Sequence, residues 1–298
     1  MVVVRLLSGL GNQMFQYACG RAVAVRAAVP LRLDISDFAS STAAVRRQYG
    51  LQVFNLDADV VPSEEVARLL EAPPQKGLPA KIWEWLWGGP AVPVGLTRVA
   101  EAHFHFDPAI LAAGDQVYLT GYFQSEKYFH DQADILRRDF TLRPEIEARL
   151  NHEMLGEIER SASISLHIRR GDYVHHPETN RFFGVCSPQY YQRCIEHMAT
   201  RIRNPVFFLF SDDPDWVKEN LRLSHPGILV SNGRLKDYEE LWLMSRCRHH
   251  IIANSSFSWW GAWLNPRPDK IVCAPEEWFA DKSYNTADVI PEGWVRFS

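Results

Sequence analysis

Residues 2–35 read VVVRLLSGLGNQMFQYACGRAVAVRAAVPLRLDI, and this stretch decides the fold class. The apolar run at 2–7 predicts a buried strand, the turn at 8–12 contains two glycines, and the Ala- and Arg-rich run at 13–28 predicts a helix. Residues 30–35 predict a second strand. A strand, a crossover helix and a strand form a βαβ unit, whose two strands pair in parallel. The expected fold class is therefore α/β.

The second half of the chain repeats this alternation. Strands are predicted at 163–168, 206–210, 228–230, 250–253 and 270–274. Helices are predicted at 188–203, with Ser187 as N-cap, and at 215–221, 236–247 and 258–264. Between the halves, the sequence predicts an irregular insertion at 71–95, a strand at 117–122, a helix at 123–138 and a helical connector at 143–160. This spacing indicates a doubly wound sheet, with a domain boundary near the connector.

Composition and charge narrow the class of protein. The 298 residues carry 32 Lys plus Arg and 36 Asp plus Glu, a net charge of −4, which argues against a nucleic-acid binder that works by bulk charge. The apolar runs are too short to span a bilayer, and the N-terminus lacks the features of a signal peptide. The five cysteines are scattered and form no C-x-x-C pair. Because neither a disulfide framework nor a zinc site fits them, we expect a cytosolic protein.

Two adjacent arginines follow a predicted strand in the segment His167-Ile168-Arg169-Arg170-Gly171-Asp172. Ligands of parallel sheets bind at the carboxyl ends of strands, and arginine offers phosphate oxygens a rigid fork of donors. Neighbouring residues of a strand point to opposite faces, so one of Arg169 and Arg170 is expected to face a ligand while the other holds the loop. Asp172 is placed to orient an arginine or to accept a hydroxyl proton. The alternative is a surface ion-pair cluster.

Other polar residues follow predicted strands at the same edge. Ser211 and Asp212 end one strand, and Asn254, Ser255 and Ser256 lead from another strand into a helix. Either serine is predicted to cap that helix, whose N-terminal amides also form an anion site. This set suits a phosphorylated, hydroxyl-rich ligand such as a nucleotide.

The turn at 9–13 adds Gly11, Asn12 and Gln13 to the candidate residues. Its glycines let the backbone approach a ligand closely, and the two amide side chains offer hydrogen bonds. Because the third glycine is missing, the turn is not the dinucleotide-binding fingerprint.

No metal site is predicted. Asp213-Pro214-Asp215 has the D-x-D spacing that metal-dependent sugar transferases use to hold a divalent cation, but Pro214 favours a polar turn that caps the following helix. The histidine pairs at 175–176 and 249–250 are adjacent rather than four residues apart, so neither supplies a metal site by itself.

The chain resembles the α-1,2-fucosyltransferases, the family of bacterial O-antigen enzymes and animal H-antigen enzymes. The segments that carry this resemblance are GLGNQMFQYA at 9–18, GYFQSEKYF at 121–129, HIRRGDY at 167–173, NSSFSWWGAWLNP at 254–266 and SDD at 211–213. The resemblance implies a GT-B-like α/β fold of two Rossmann-like domains facing a cleft. It implies that residues 1–155 form the acceptor side, with 122–125 framing the acceptor, and that residues 156–298 bind GDP-fucose.

The resemblance also implies the reaction: an inverting, metal-independent transfer of L-fucose from GDP-fucose to the 2-hydroxyl of a terminal galactoside, with no cofactor besides the donor. The catalytic residues that it implies are Arg169, Asp172 and His167. The donor-binding residues are Gly11, Asn12, Gln13, His167, Arg169, Arg170, Ser211, Asp212, Asn254, Ser255 and Ser256. The proton acceptor is left open among Asp172, Asp34, Asp37, His167 and the diphosphate itself.

The expected partners are GDP-fucose and a galactose-terminated oligosaccharide, without nucleic acid. A membrane anchor is not predicted, which fits a bacterial cytoplasmic enzyme acting on free or lipid-linked oligosaccharides, with or without peripheral contact to the membrane. The alternatives are a transferase for a different GDP- or UDP-sugar and a nucleotide- or glycan-binding module without turnover. The sequence does not identify the acceptor or the oligomeric state.

Overall fold

The computed structural model describes residues 1–40, 47–71, 95–150 and 152–298. The first half of the chain contains a parallel sheet with strands β1 Val2–Arg5, β2 Leu31–Asp34, β3 Asp59–Val61, β4 Thr97–Ala100 and β5 Val117–Thr120. Their order across the sheet is β3-β2-β1-β5-β4. The helices of this half are α1 Leu10–Ala27, α2 Ser36–Ser40, α3 Ser63–Glu71, α4 Pro108–Leu111, α5 Ala133–Asp139, α6 Pro144–Glu147 and α7 His152–Arg160. The insertion predicted at 71–95 lies almost wholly outside the described residues.

The second half contains another parallel sheet. Its strands are β6 Ala162–Ile168, β7 Pro205–Ser211, β8 Gly227–Leu229, β9 His249–Ile251, β10 Val272–Pro275 and β11 Val295–Phe297, in the order β11-β10-β9-β6-β7-β8. Its helices are α8 Gly171–His175, α9 Pro177–Phe183, α10 Pro188–Ala199, α11 Pro214–Asn220, α12 Asp237–Arg246 and α13 Ser256–Leu264. The α/β class and the parallel pairing predicted from the sequence are confirmed.

Each sheet reverses its strand order at one strand. β1 pairs with β2 on one side and β5 on the other, and β6 pairs with β7 and β9 in the same way. Crossover connections leave in opposite directions from such a strand and open a crevice at its carboxyl end. The residues after β1 and β6 are therefore the ones that the topology exposes to a ligand.

The valine run at the start of the chain forms the centre of the first sheet. Val2, Val3 and Val4 are fully buried, as expected for a strand covered by helices on both faces. Gly20 lets α1 lie close against this sheet, because a β-carbon there would be 3.0 Å from the side chains of Val4 and Leu31. This packing holds the middle of α1 against β1 and β2.

Aromatic packing joins the two halves. Phe15 on α1 packs against Trp259 and Trp260 on α13, with ring centroids 4.5 Å and 5.0 Å apart. Phe129 stacks on Trp260 at 5.4 Å. Each fully buried ring of this kind stabilises the fold by about 1.5–3 kcal/mol relative to exposure. The core thereby holds α1 and α13 against each other, although they come from opposite ends of the chain.

The helix predicted at 123–138 is wrong in its first half. Phe123 adopts a left-handed conformation with φ of 52°, which an α-helix does not contain. Two 3₁₀ turns follow at Glu126–Tyr128 and His130–Gln132, and the α-helix begins only at Ala133. Aromatic side chains of this segment are buried in the core, so tertiary packing overrides local helix propensity.

Most of the other differences concern short elements. The elements that were not predicted are β3, β4, β11, α2, α3, α4, α8 and α9. All of them except the nine-residue α3 have three to seven residues, which carry too little periodicity to detect. The predicted N-cap of α10 is confirmed, since the Ser187 side chain accepts a hydrogen bond from the amide of Tyr190.

The domain boundary predicted at residue 155 falls within α7, which lies between the last strand of the first sheet and the first strand of the second. The division at that residue stays a prediction. No helix in the described ranges combines the length and the apolar character needed to cross a membrane.

Candidate active site

A cavity of about 560 Å³ lies at the carboxyl ends of the two sheets. Both halves of the chain contribute to its wall. The predicted site residues that line it are Gly11, Asn12, His167, Arg169, Ser211, Asp212, Asn254, Ser255 and Ser256. The structure thus brings together, at one cavity, most of the residues that the sequence singled out.

The two adjacent arginines diverge, as strand alternation predicts. The Arg169 guanidinium lines the cavity, lies 2.7 Å from the Asp212 carboxylate and stands 5.2 Å from the centre of the Tyr173 ring. The Arg170 guanidinium points away from the cavity and lies 3.1 Å from the Asp213 carboxylate. Arg169 is therefore the arginine placed to meet a bound anion.

Asp212 serves both arginines. One carboxylate oxygen pairs with Arg169, and the other accepts the backbone amide of Arg170 at 2.8 Å. Gly171 makes room for this carboxylate, since a β-carbon at that position would lie 2.4 Å from it. Arg170 completes the arrangement by stacking over the Trp216 ring at 4.2 Å. The loop after β6 is thus held by its neighbour strand β7 while Arg169 stays at the cavity.

Gln13 does not line the cavity. Its side chain is fully buried, donates to the carbonyls of Ser8 and Gln48 at 2.9 Å each, and accepts the amide of Gly50. Gln13 therefore shapes the loops behind the cavity wall instead of facing a ligand.

The neighbouring Asn12 does line the cavity. Its Nδ2 donates to the Ser8 hydroxyl at 2.9 Å, and its Oδ1 accepts from Gln124 at 2.7 Å. The turn before α1 is thus held by side-chain hydrogen bonds on both sides.

His167 is a buried, neutral imidazole in the cavity wall. It is 4% exposed, its ring lies 5.6 Å from that of Phe257, and its Nδ1 has no hydrogen-bond partner among the described residues. Burial, together with the charge of Arg169, lowers the pKa of His167 to about 3. Such a ring is a weak base at neutral pH, but its unpartnered nitrogen suits a hydrogen bond to a bound molecule.

The first turns of α1 and α13 meet at the cavity. A β-carbon on Gly11 would lie 2.5 Å from the carbonyl carbon of Ser256, so the two backbones are in direct contact. The N-cap residues Gly9 and Ser255 have extended backbones and supply no side-chain cap. The prediction that a serine side chain caps α13 is therefore wrong. Each helix N-terminus carries about half a positive charge, so the pair forms a site for an anion.

Asn254 lines the cavity but its amide is already satisfied. Its Nδ2 donates to the carbonyls of Phe183 at 2.9 Å, Gly184 at 3.4 Å and Trp278 at 3.3 Å. Its Oδ1 lies 3.5 Å from the Cys186 sulfur. The structure places Asn254 as the residue that ties two loops to the end of β9.

The carboxylates considered as proton acceptors differ in position. Asp34 is buried and accepts from the Tyr118 hydroxyl at 2.6 Å, and Asp37 pairs with Arg5. Neither lines the cavity. The backbone of Asp172 lies in α8, and its side chain lies outside the described part of the structure.

The D-x-D segment acts as a helix cap. Asp213 accepts the amide of Trp216 at the start of α11, while Asp215 is exposed and pairs with Lys218 at 2.8 Å. The two carboxylates therefore have separate partners. Within the described residues, no group of three or more His, Cys, Asp or Glu side chains is arranged to hold a metal ion.

Tyr122 and Gln124, from the segment expected to frame the acceptor, also line the cavity. Several other cavity residues escaped the sequence analysis: Arg47, Asp237, Glu240 and Trp278. Glu240 is the most informative, since burial raises its pKa to about 7 and the Ser231 hydroxyl opposes that shift by hydrogen bonding. The sequence signal that could have pointed to this part of the cavity was that Ser231, the partner of Glu240, follows a predicted strand. The helical pattern of α12 shows which residues reach the core, but not that Glu240 faces a cavity.

The chain is similar to known glycosyltransferases over nearly its whole length. The sequence profile described as glycosyl transferase family 11 matches residues 105–298. An alpha-1,2-colitosyltransferase of Escherichia coli is 34% identical, with 99% of this chain and 98% of that protein aligned. The O-antigen biosynthesis glycosyltransferase WbnK of Escherichia coli is 32% identical, with 97% and 98% aligned.

The fold is also similar to a solved structure. The crystal structure of POFUT1 in complex with GDP-fucose aligns with 92% of this chain and 97% of that chain, at a TM-score of 0.53 and 14% identity. At this identity the likeness concerns the fold alone. The predicted GT-B-like arrangement, two Rossmann-like halves facing a cleft, is confirmed.

Proposed function

The chain belongs to glycosyl transferase family 11, and we propose that it transfers L-fucose from GDP-fucose to the 2-hydroxyl of a terminal galactoside, with inversion. One observation carries this proposal: Arg169 and the first turns of α1 and α13 converge on a single cavity. A guanidinium and two helix N-termini are groups that bind a diphosphate.

The same groups favour departure of GDP. As the bond between fucose C1 and the diphosphate oxygen breaks, its electron pair moves to the leaving phosphate, and positive charge develops on the sugar ring. Arg169 and the helix N-termini then stabilise the extra negative charge more strongly than they stabilise the intact donor. The galactoside oxygen attacks C1 from the opposite face and loses its proton. His167 is a weak base, and Asp34 and Asp37 do not line the cavity, so Asp172 and the diphosphate itself are the proton acceptors that we carry forward.

Carboxylates in the cavity support a guanine nucleotide over a uracil nucleotide. Glu240 and Asp237 both line the cavity near the first turn of α12. An ionised carboxylate only accepts hydrogen bonds, and guanine presents its ring N1–H and its exocyclic amino group side by side. Uracil lacks the amino group. This pairing supports a GDP-linked donor and disfavours the UDP-sugar alternative.

Colitosyl transfer is the second candidate, because an alpha-1,2-colitosyltransferase is 34% identical over 99% of this chain. Colitose is fucose without the 3-hydroxyl, so both donors suit the same diphosphate and guanine contacts. The two candidates differ only in whether the donor sugar that the cavity binds carries a 3-hydroxyl group.

A donor and acceptor panel tests the proposal. The purified protein is incubated with GDP-fucose, GDP-colitose, GDP-mannose or UDP-galactose and with lactose, lacto-N-biose or N-acetyllactosamine, and the product linkage is determined by NMR. We expect an α-1,2-linked product from GDP-fucose. Turnover with GDP-colitose alone would favour the second candidate, and binding of GDP-fucose without any product would favour a binding module.

We further propose that the reaction needs no divalent cation, since Asp213 and Asp215 are occupied as a helix cap and a surface ion pair. Turnover should be unchanged after dialysis against EDTA. A loss of turnover that Mg²⁺ or Mn²⁺ restores would contradict this.

A further inference from the structure

A carboxylate outside the cavity holds the turn that forms part of its wall. Glu101 follows β4, and its carboxylate accepts the backbone amides of Tyr122 at 2.7 Å and Phe123 at 3.0 Å, one at each oxygen. Gly121 is required for this approach, because a β-carbon there would lie 2.5 Å from the Glu101 β-carbon. Phe123 has a φ of 52°, a conformation that costs free energy for a residue other than glycine. The carboxylate therefore stabilises a turn that the chain would not adopt by itself.

This turn presents two side chains to the cavity. Tyr122 lines it and is 40% exposed. Gln124 also lines it and links the two halves of the molecule: its Nε2 donates to the Asn12 Oδ1 at 2.7 Å, and its Oε1 accepts from the Trp278 indole at 3.1 Å. Glu101 itself is not part of the cavity wall. Any effect of Glu101 on a bound molecule must therefore pass through the turn.

We propose that Glu101 is a positioning residue for the transfer reaction, holding the turn at 121–124 so that Tyr122 and Gln124 form the acceptor side of the cavity. The inference rests on the proposed function, which assigns the donor to Arg169, Glu240 and the first turns of α1 and α13. Tyr122 and Gln124 belong to the first half of the chain, whereas Arg169, Glu240 and α13 belong to the second. A galactoside must enter on the side that the nucleotide does not occupy.

The ionisation state of Glu101 matters to this role. An ionised carboxylate accepts at both oxygens, whereas a protonated one carries a hydroxyl group that donates, which leaves one of the two amides poorly paired. Burial raises the pKa of Glu101 to about 7, while the amides of Tyr122 and Phe123 and the charge of His103 oppose the rise. Because the pKa of this carboxyl is higher in the buried turn than in water, protonation by itself favours the closed turn over an opened one, so the role of the two hydrogen bonds is tested by substitution at constant pH.

The other titratable groups that face Glu101 are Cys19 on α1, Tyr122 on the turn and Tyr128 on the following 3₁₀ turn. Burial raises the pKa of all three, so they remain neutral where Glu101 titrates. His103 is a further neighbour whose charge acts on Glu101. A His103→Gln variant separates the effect of that charge from the effect of the Glu101 hydrogen bonds.

The first experiment compares Glu101→Gln with Glu239→Gln. Glu239 also accepts a backbone amide, that of Lys236, but it does not line the cavity and does not touch the turn. For Glu101→Gln we expect kcat/KM for the acceptor to fall by about 10-fold or more, because one amide loses its acceptor, while the Kd for GDP stays within about 2-fold. Glu239→Gln should change neither. A parallel loss of GDP affinity and acceptor kcat/KM would show a general structural role and overturn the proposal.

The second experiment does not depend on activity. Hydrogen exchange of the amides at 122–125 is measured at one pH in the unmodified protein, in Glu101→Gln, in Glu239→Gln and in His103→Gln. We expect protection of the Tyr122 and Phe123 amides to fall in Glu101→Gln, because one of them loses its acceptor, and to stay unchanged in Glu239→Gln and His103→Gln. Protection that Glu101→Gln leaves unchanged, or that His103→Gln abolishes, would overturn the proposal. A protein that shows the exchange change but transfers no sugar would instead contradict the proposed function.

Discussion

The indole Nε1 of Trp260 donates a hydrogen bond of 3.0 Å to the backbone carbonyl of Gly11. This bond joins the first turn of α1 to α13, and the contact between Gly11 and Ser256 leaves no room for a side chain between them. The two helix N-termini are therefore held side by side by the core and by one polar bond. The anion site that we propose for the cavity depends on this relationship.

Gly11→Ala should separate the two helices. Its β-carbon would overlap the backbone of Ser256 and Phe257, which cannot move aside as a side chain could. We expect a loss of about 1–3 kcal/mol in the free energy of unfolding, as for overpacked cores, together with weaker GDP binding. Gly9→Ala is the matched variant for stability, since a β-carbon there meets nothing within 4 Å. Equal midpoints of thermal unfolding for the two variants would contradict the close-contact account.

Arg169→Ala and Arg170→Ala should have different effects. Arg169 lines the cavity, so its loss should lower kcat with GDP-fucose by about 10- to 100-fold, the equivalent of one charge-assisted hydrogen bond to the leaving group. Arg170 packs on Trp216 and Asp213, so its loss should mainly lower the thermal midpoint. Steady-state kinetics at saturating donor measures this difference. Near-normal turnover in both variants would show that neither arginine holds the diphosphate.

Glu240→Gln should weaken binding of GDP relative to UDP. The amide group of glutamine keeps one acceptor but replaces the other with a donor, which opposes the guanine N1–H or amino group. We expect the Kd for GDP to rise by about 5- to 100-fold, with little change for UDP, as measured by isothermal titration calorimetry. Glu239→Gln, one residue away and outside the cavity, is the control. An equal loss for both nucleotides would place the base elsewhere.

The buried His250 should make stability depend on pH. Its Nδ1 lies 2.8 Å from the Ser165 hydroxyl and its Nε2 lies 2.8 Å from the Asn265 amide nitrogen. Burial holds the pKa of His250 well below its ordinary value of 6.5. The unfolded chain therefore takes up this proton first, so the stability contributed by neutral His250 is fully present above about pH 6.5 and is lost as pH falls below it.

A comparison with His250→Gln isolates that proton. Glu101 and Glu240 have the opposite effect on the pH dependence of stability, because burial raises the pKa of each to about 7. Both residues are present in both proteins, so their effect cancels in the difference. The unmodified protein's advantage in the free energy of unfolding should shrink by about 1.4 kcal/mol per pH unit between pH 6 and 4.5. Urea denaturation at several pH values measures it. If the difference in the free energy of unfolding between the two proteins did not change with pH, His250 would bind its proton as readily in the folded state as in the unfolded chain.

Local patterns predicted the elements that rest on neighbouring residues. The valine run, the glycine turn and the following helix identified the βαβ unit, and strand alternation predicted that Arg169 and Arg170 diverge. Because ligands of parallel sheets bind after the strands, the strand ends also indicated His167, Ser211, Asp212 and the 254–256 segment. These inferences need only backbone geometry and side-chain chemistry, which act within a few residues.

The tertiary structure decided the rest. Which arginine faces the cavity depends on Asp212, which directly follows β7, and on Trp216, which lies in α11. Gln13 was predicted to face a ligand but turns inward because Gln48 and Gly50 satisfy it from a distant loop. Glu101 and Glu240 acquire their raised pKa values only through burial. Contacts between residues far apart in the chain, and the water that those contacts exclude, are not encoded in any local pattern, so only the folded molecule reveals them.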